Sequence, residues 1–248
     1  MVIERLRQAI TEAPSETVFV SWERLCGRWW LDFNDSKQAI GIVHRIWPDA
    51  DILIILREQV GWLTSIYRYR VANGMAASPR SFLGWNGQQF VRTDSANRSR
   101  GDRINSLEFD WSRLCEAVVE RFGPKRLHVL TYEQLISRPE SFRIAMSEVL
   151  GHDLEVSITD HRANGSMPAA NTHLLLAINK VVGAFGRIDR PTRLQRGARR
   201  ILKRMPGPNY EIFETTIRTA LEDHYRSTNQ RLRPLLEEEC FSPYAYEA

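Results

Sequence analysis

The pattern of apolar positions along the chain predicts three buried strands, at residues 17–22, 51–57 and 126–132. The centre of each segment is continuously apolar or β-branched, which is typical of parallel strands covered on both faces. Segments with helical periodicity separate them. Alternation of strand and helix predicts an α/β fold built from right-handed parallel crossovers.

Helical spacing of apolar residues, with proline or glycine at several ends, predicts the helices. They are residues 35–47, 60–71, 107–122, 139–150, 172–186 and 210–236. Gly151 is expected to cap the fourth of these. No strand pattern follows Gly151, so the C-terminal third is predicted to be helical. The absence of a repeat or a long linker predicts a single domain over residues 1–248.

Composition excludes several classes of protein. With 43% apolar and 26% charged residues, the chain is neither disordered nor fibrous. No apolar segment approaches the length of a membrane-spanning helix, and the N-terminus is too charged for a signal peptide. The three cysteines are widely spaced and predict neither a disulfide framework nor a metal site. We therefore expect a cytoplasmic protein without a metal.

The basic residues are mostly arginine: the chain has 30 Arg and four Lys, with a net charge of +4. Arginine binds planar oxyanions through two parallel hydrogen bonds, although base composition of the source genome also raises arginine content. Residues 187–204 hold seven Arg, one Lys and one Asp. This segment indicates either a polyanion-binding surface or a solvated helix. The charges are not expected to share one narrow face, and no aromatic residue interleaves them, so nucleic acid is an unfavoured partner.

Arg57 ends the second predicted strand, where ligands of open α/β sheets bind. Ser65 follows eight residues later on the next predicted helix, so both side chains could converge on one phosphate. The alternative is an arginine that pairs with a nearby carboxylate and a serine without a function. The polar segment 76–105, which contains Trp85, is either a lid or a surface loop and is the expected acceptor region.

The segment ILIILREQVGWLTSIYRYR resembles the 3′-phosphate-binding segment of sulfotransferases that use 3′-phosphoadenosine 5′-phosphosulfate (PAPS). A second segment, FDWSRLCEAVVERFGPKRLHVLTYEQLISRPESFRIAMSEVLG, is similar to the same family in order and spacing, and HYRSTNQRLRPLL is similar to its last helix. The resemblance runs from about Val18 to the C-terminus. It implies a P-loop NTPase-like parallel sheet flanked by helices.

The resemblance also implies roles for individual residues. Arg57 and Ser65 would hold the 3′-phosphate of PAPS, and Tyr132 would help to fix its adenine end, or else pack in the core. Glu133 is expected to be structural. Residues 162–166 resemble an Asn-and-Ser turn of many bacterial members, which either lines the cofactor or is a turn without that role. Glu23 would be the general base that accepts the proton of the acceptor. The alternative for Glu23 is the N-terminal charge of a short helix.

The family's lysine-containing 5′-phosphosulfate loop has no counterpart in the sequence, and Lys37 lies on a predicted helix. Three explanations stay open: a strand and loop upstream of residue 1, a non-catalytic family member, or a lysine from another element or chain. The expected function is sulfuryl transfer from PAPS to a hydroxyl or amine of a carbohydrate, lipid or small molecule. The alternative is a non-catalytic module that binds a nucleotide or polyanion. A sheet without its first strand would favour a homodimer.

Overall fold

The computed structural model describes residues 4, 8, 12, 17–21, 23–92, 102–155, 167–184 and 191–246, without the side chains of residues 23, 24 and 184. The chain divides into two compact units. The first contains Met1–Glu58, Asp110–Thr159 and Arg226–Ala248, and the second contains Gln59–Phe109 and Asp160–Tyr225. Within the described ranges, no helix is both long and apolar enough to cross a membrane.

Most of the described chain is helical. The α-helices are α1 (Ser36–Ile46), α2 (Gln59–Ala72), α3 (Pro79–Leu83), α4 (Trp111–Phe122), α5 (Tyr132–Ser137), α6 (Pro139–Leu150), α7 (Ala169–Ala184), α8 (Arg193–Leu202), α9 (Thr215–Asn229) and α10 (Glu238–Ala245). Short 3₁₀ helices cover Glu23–Cys26, Trp29–Leu31, Pro124–Arg126 and Gln230–Leu235. The strands are β1 (Ile52–Leu56) and β2 (Leu127–Thr131).

The two strands of the first unit pair in parallel, in a register that runs from Ile52 opposite Leu127 to Leu56 opposite Thr131. This confirms the α/β class and the prediction that residues 51–57 and 126–132 are parallel strands. Their apolar, β-branched residues suit a pleated sheet, and in β1 Ile54 and Leu56 are buried whereas Ile55 is exposed. Helices α4 and α6 both contact β2, and α1 packs against α4.

The predicted strand at residues 17–22 is wrong for the part that the structure describes. Residues 17–21 form no strand, and Val18, Phe19 and Val20 are exposed to solvent. Trp22 lies outside the described residues. A strand is stable only when its backbone groups pair with a neighbour, and an apolar pattern does not report whether a neighbour exists. In the described part of the chain the sheet therefore has two strands.

Local sequence signals account for most helix ends. Pro139 occupies the first turn of α6, and Gly151 ends it with a φ of 67°, a conformation that glycine adopts without strain. Asp110 caps α4 by accepting a hydrogen bond from the Ser112 backbone. The predicted helix at 210–236 is instead α9 followed by a 3₁₀ helix that contains Pro234, because proline cannot continue an α-helical ladder.

The second unit is built around buried polar and aromatic side chains. Tyr67 of α2 is fully buried between the rings of Phe82 and Phe213. Asn179 of α7 is also buried, and its amide donates to the backbone carbonyls of Val71 and Met75 at the end of α2. The amide thus ties the last turn of α2 to the turn that follows it.

The first prediction tests the sheet with two adjacent isoleucines of β1. Ile54 is 4% exposed and Ile55 is 50% exposed. We expect Ile54→Ala to lower the free energy of unfolding by about 2–5 kcal/mol, because it leaves a cavity in the core. Ile55→Ala is the matched control and should cost less than about 1.5 kcal/mol. Urea denaturation measures both, and equal losses would contradict the burial of one face.

Candidate functional site

The two strands of the first unit end at the same edge of the sheet, since Leu56 and Thr131 are opposite each other in a parallel pair. Arg57 follows β1 directly, and Tyr132 follows β2 as the first residue of α5. Thr131 caps α5 by accepting a hydrogen bond from the Gln134 backbone, which fixes where the strand ends and the helix begins. The carboxyl edge of a parallel sheet is the usual place for a ligand in this class of fold.

The Arg57 guanidinium lies over the Tyr132 ring, with 4.5 Å between its central carbon and the ring centroid. This cation–π contact holds the guanidinium in place through its flat face and does not use its N–H groups. Both residues are half-buried, so solvent still reaches them. The Trp111 indole fixes the Arg57 backbone by donating from Nε1 to the carbonyl oxygen at 2.8 Å.

Two glutamates next to this pair are occupied by other donors. The Glu133 carboxylate accepts from the Glu58 backbone N–H at 3.1 Å and from the Tyr244 hydroxyl at 3.2 Å. The Glu58 carboxylate accepts from the Tyr246 hydroxyl. Within the described chain, the Arg57 guanidinium forms neither a hydrogen bond nor an ion pair with another side chain. Among the described residues, no carboxylate therefore forms the structural ion pair with Arg57 that the alternative interpretation requires.

Burial, together with the neighbouring Glu133 carboxylate, raises the pKa of the Tyr244 hydroxyl far above its ordinary value of 10.0. The hydroxyl therefore stays protonated and acts as a donor to Glu133 at physiological pH. Helix α10, which carries Tyr244, is also held by Arg138, which pairs with the Glu239 carboxylate and lies 3.1 Å from the Cys240 sulfur. The strand ends and α10 thus form one connected polar cluster.

The structure places two of the predicted site residues in contact, Arg57 and Tyr132 of the first unit. Ser65 is a half-buried residue of α2 in the second unit. Glu23 begins the 3₁₀ helix Glu23–Cys26, and its side chain is outside the description. The expected strand before Glu23 is absent over residues 17–21, and the backbone at Glu23 matches the alternative of a short helix. Residues 162–166 lie outside the described residues.

Two further sequence candidates have structural partners. Lys37 is an exposed residue of α1 and lies 3.4 Å from the Glu120 carboxylate. Trp85 forms an isolated antiparallel bridge with Phe90, and their rings meet edge to face at 4.8 Å. This contact accounts for Trp85 as an anchor of its own loop. Glu133, with two hydrogen bonds, has the structural role that the sequence favours.

Sequence reasoning missed Glu58, Trp111, Tyr244 and Tyr246 as parts of the cluster. The two tyrosines follow a proline near the C-terminus, and no spacing or periodicity there indicates a contact with a strand end.

Comparison with protein-family models, curated proteins and solved structures finds no match. Across the residues that are described, no group of three His, Cys, Asp or Glu side chains is placed to bind a metal ion.

The second prediction concerns Tyr244. Its pKa in the folded protein lies above the unfolded value near 10, so its stabilising contribution is complete below pH 10 and is lost as the pH rises further. Tyr244→Phe should lower the free energy of unfolding by about 1–3 kcal/mol at pH 8, because Glu133 loses a donor. Above pH 10 the difference between the two proteins should shrink by about 1.4 kcal/mol per pH unit.

Urea denaturation at several pH values measures this difference. Tyr67 is also buried with a raised pKa, but it is present in both proteins and its effect cancels. Tyr69→Phe, at an exposed position of α2, is the control and should change little at any pH. A Tyr244→Phe deficit that stays constant from pH 8 to pH 11 would contradict the argument.

Proposed function

We propose that the chain is a PAPS-dependent sulfotransferase and that Arg57 binds the 3′-phosphate of the nucleotide. The observation that supports this is a half-buried guanidinium, held over Tyr132 at the carboxyl edge of a parallel strand pair, with its N–H groups unpaired by any described side chain. Arginine binds phosphate through two parallel charge-assisted hydrogen bonds. The segment that carries Arg57 is also the one that resembles the family's 3′-phosphate-binding segment.

Neither of the two carboxylates beside Arg57 bonds to its guanidinium. Glu133 accepts from the Glu58 backbone and the Tyr244 hydroxyl, and Glu58 accepts from the Tyr246 hydroxyl, so the N–H groups of Arg57 stay available to an anionic ligand. In this proposal Tyr132 positions Arg57 and lies at the adenine end of PAPS. Ser65 contributes a second phosphate donor on the basis of the resemblance. In this proposal the parallel strand pair is part of a P-loop NTPase-like sheet, and α2 is the helix that follows β1.

The reaction proposed is sulfuryl transfer to a hydroxyl or amine of a carbohydrate, lipid or small molecule. The acceptor oxygen or nitrogen attacks sulfur, and a new bond forms to it. The bond between sulfur and the bridging phosphate oxygen breaks, and adenosine 3′,5′-bisphosphate (PAP) leaves with that electron pair. Glu23 takes the acceptor proton as general base. The proposal thus includes the general-base role of Glu23, the class of acceptor and a cytoplasmic location of the protein.

A second candidate is a non-catalytic module that binds the nucleotide alone. The observation that favours it is the exposed, non-strand backbone of residues 17–21, which removes the strand expected to deliver Glu23 to the site. In that case Arg57 and Tyr132 would bind PAP without any transfer of the sulfuryl group.

The third prediction tests the arginine. Arg57→Ala should weaken PAP binding by about 1.5–3 kcal/mol, because the phosphate loses a charge-assisted contact. Arg57→Lys keeps the charge but not the two parallel donors, so its affinity should fall between the other two proteins. Isothermal titration calorimetry measures the affinities.

Arg121→Ala is the matched control, since this arginine is exposed in the last turn of α4, whereas Trp111, which contacts Arg57, begins that helix. It should bind PAP as the unchanged protein does. Ser65→Ala should also lower the affinity if its hydroxyl contacts the same phosphate. Unchanged PAP binding in Arg57→Ala would overturn the proposed site, and absence of PAP binding by the unchanged protein would overturn both candidate functions.

The fourth prediction tests the base. Transfer from ³⁵S-labelled PAPS to a panel of hydroxyl and amine acceptors should fall by about 10²–10⁴ in Glu23→Gln, because the variant keeps the shape but cannot accept a proton. PAP affinity should stay the same. Glu120→Gln, at an exposed position of α4, is the control. PAP binding without any transfer by the unchanged protein would favour the non-catalytic module, and full turnover in Glu23→Gln would remove Glu23 from the mechanism.

A further inference from the structure

Helix α8 of the second unit is fixed so that one side always faces solvent. Gln195 and Leu202 are buried, and the Gln195 amide donates to the Asn179 side chain at 3.1 Å. Thr192 and Gln195 form a reciprocal capping box at the start of the helix. At its end, the Asn171 amide donates to the carbonyls of Leu202 and Met205 at 3.0 and 2.9 Å. These contacts set the rotation of the helix about its axis.

The solvent side of α8 carries a row of arginines. Arg193, Arg196 and Arg200 are exposed and are spaced three and four residues apart, which places them on one face. These three arginines share a face, whereas Arg199 is half-buried and donates to the Asn73 side chain. Lys203 and Arg204 follow the helix and are exposed as well. Residues 191–205 contain no acidic residue, and none of these five cations is paired with an acidic side chain among the described residues.

Large apolar side chains lie beside this row of arginines. Leu194 is 66% exposed and Ile201 is 61% exposed, and their spacing of seven residues places them on one line along the helix. Met205, which is 47% exposed, follows Ile201 by four residues. Leu194 adjoins Arg193, and Ile201 adjoins Arg200. We call the exposed residues Arg193, Leu194, Arg196, Arg200, Ile201, Lys203, Arg204 and Met205 the α8 stripe.

We propose that the α8 stripe docks the protein on the surface of an anionic lipid membrane. Its cations match the phosphate and carboxylate groups of anionic headgroups, and its apolar side chains would enter the boundary between headgroups and acyl chains. A nucleic acid would use the cations alone and would leave Leu194 and Ile201 in water. Helix α8 also has no aromatic side chain on which a base could stack. The proposal rests on the α8 stripe alone and is independent of the proposed sulfotransferase site.

Vesicle flotation with the full chain tests the proposal. We expect binding to phosphatidylcholine vesicles that contain about 30% phosphatidylserine, and none to vesicles of phosphatidylcholine alone. Leu194→Gln combined with Ile201→Gln keeps every charge and should weaken binding by roughly tenfold or more, because insertion of apolar surface is lost. Arg196→Gln combined with Arg200→Gln should weaken it similarly and reduce its dependence on salt.

Each pair of substitutions has a matched control in the first unit. Ile136→Gln with Ile144→Gln changes two exposed isoleucines of α5 and α6, and Arg113→Gln with Arg121→Gln changes two exposed arginines of α4. Both controls should bind vesicles as the unchanged protein does, and thermal unfolding checks that all variants fold. The proposal is overturned if anionic vesicles do not bind, if neutral vesicles bind equally well, or if the Leu194 and Ile201 pair has no effect. In the last case, displacement by double-stranded DNA would identify a purely electrostatic polyanion surface.

Discussion

The carboxylate of Glu133 joins three separate parts of the first unit through two hydrogen bonds. It lies just after β2, accepts from the backbone immediately after β1, and accepts from Tyr244 on α10. A half-buried carboxylate without such donors would be costly, because its hydration is reduced and nothing replaces it. The strand ends and α10 are therefore stabilised together, and loss of one donor affects all three.

The state of Arg57 follows from this arrangement. The carboxylates of Glu133 and Glu58 accept from tyrosine hydroxyls, and neither forms an ion pair with the Arg57 guanidinium. The contact with Tyr132 and the Trp111 bond to the backbone hold the residue in place without using its donors. Because the side chain is already held in place, binding an anion costs less conformational entropy than it would with a mobile arginine.

Local patterns predict the elements of the fold better than they predict contacts. The apolar centres of β1 and β2, Pro139 and Gly151 act over a few residues, and the corresponding strands and helix formed as predicted. Residues 17–21 have the same apolar pattern but form no strand, since strand formation depends on a distant partner. The proximity of Arg57 and Tyr132 is predictable, because parallel strands end at the same edge of a sheet. The contact of Tyr244 with Glu133 is not, because the two residues are 111 positions apart.

The first unit is built from three separate stretches of the chain, so its parts are synthesised at different times. At about 5–20 residues per second, Tyr244 leaves the ribosome roughly 6–22 s after Glu133. For that interval the nascent chain contains both strands and Glu133 but not Tyr244, whose hydroxyl donates to the Glu133 carboxylate. Contacts of such long range also slow folding, because a large loop must close before they form. The polar cluster at the strand ends can therefore be completed only after residue 244 has been synthesised.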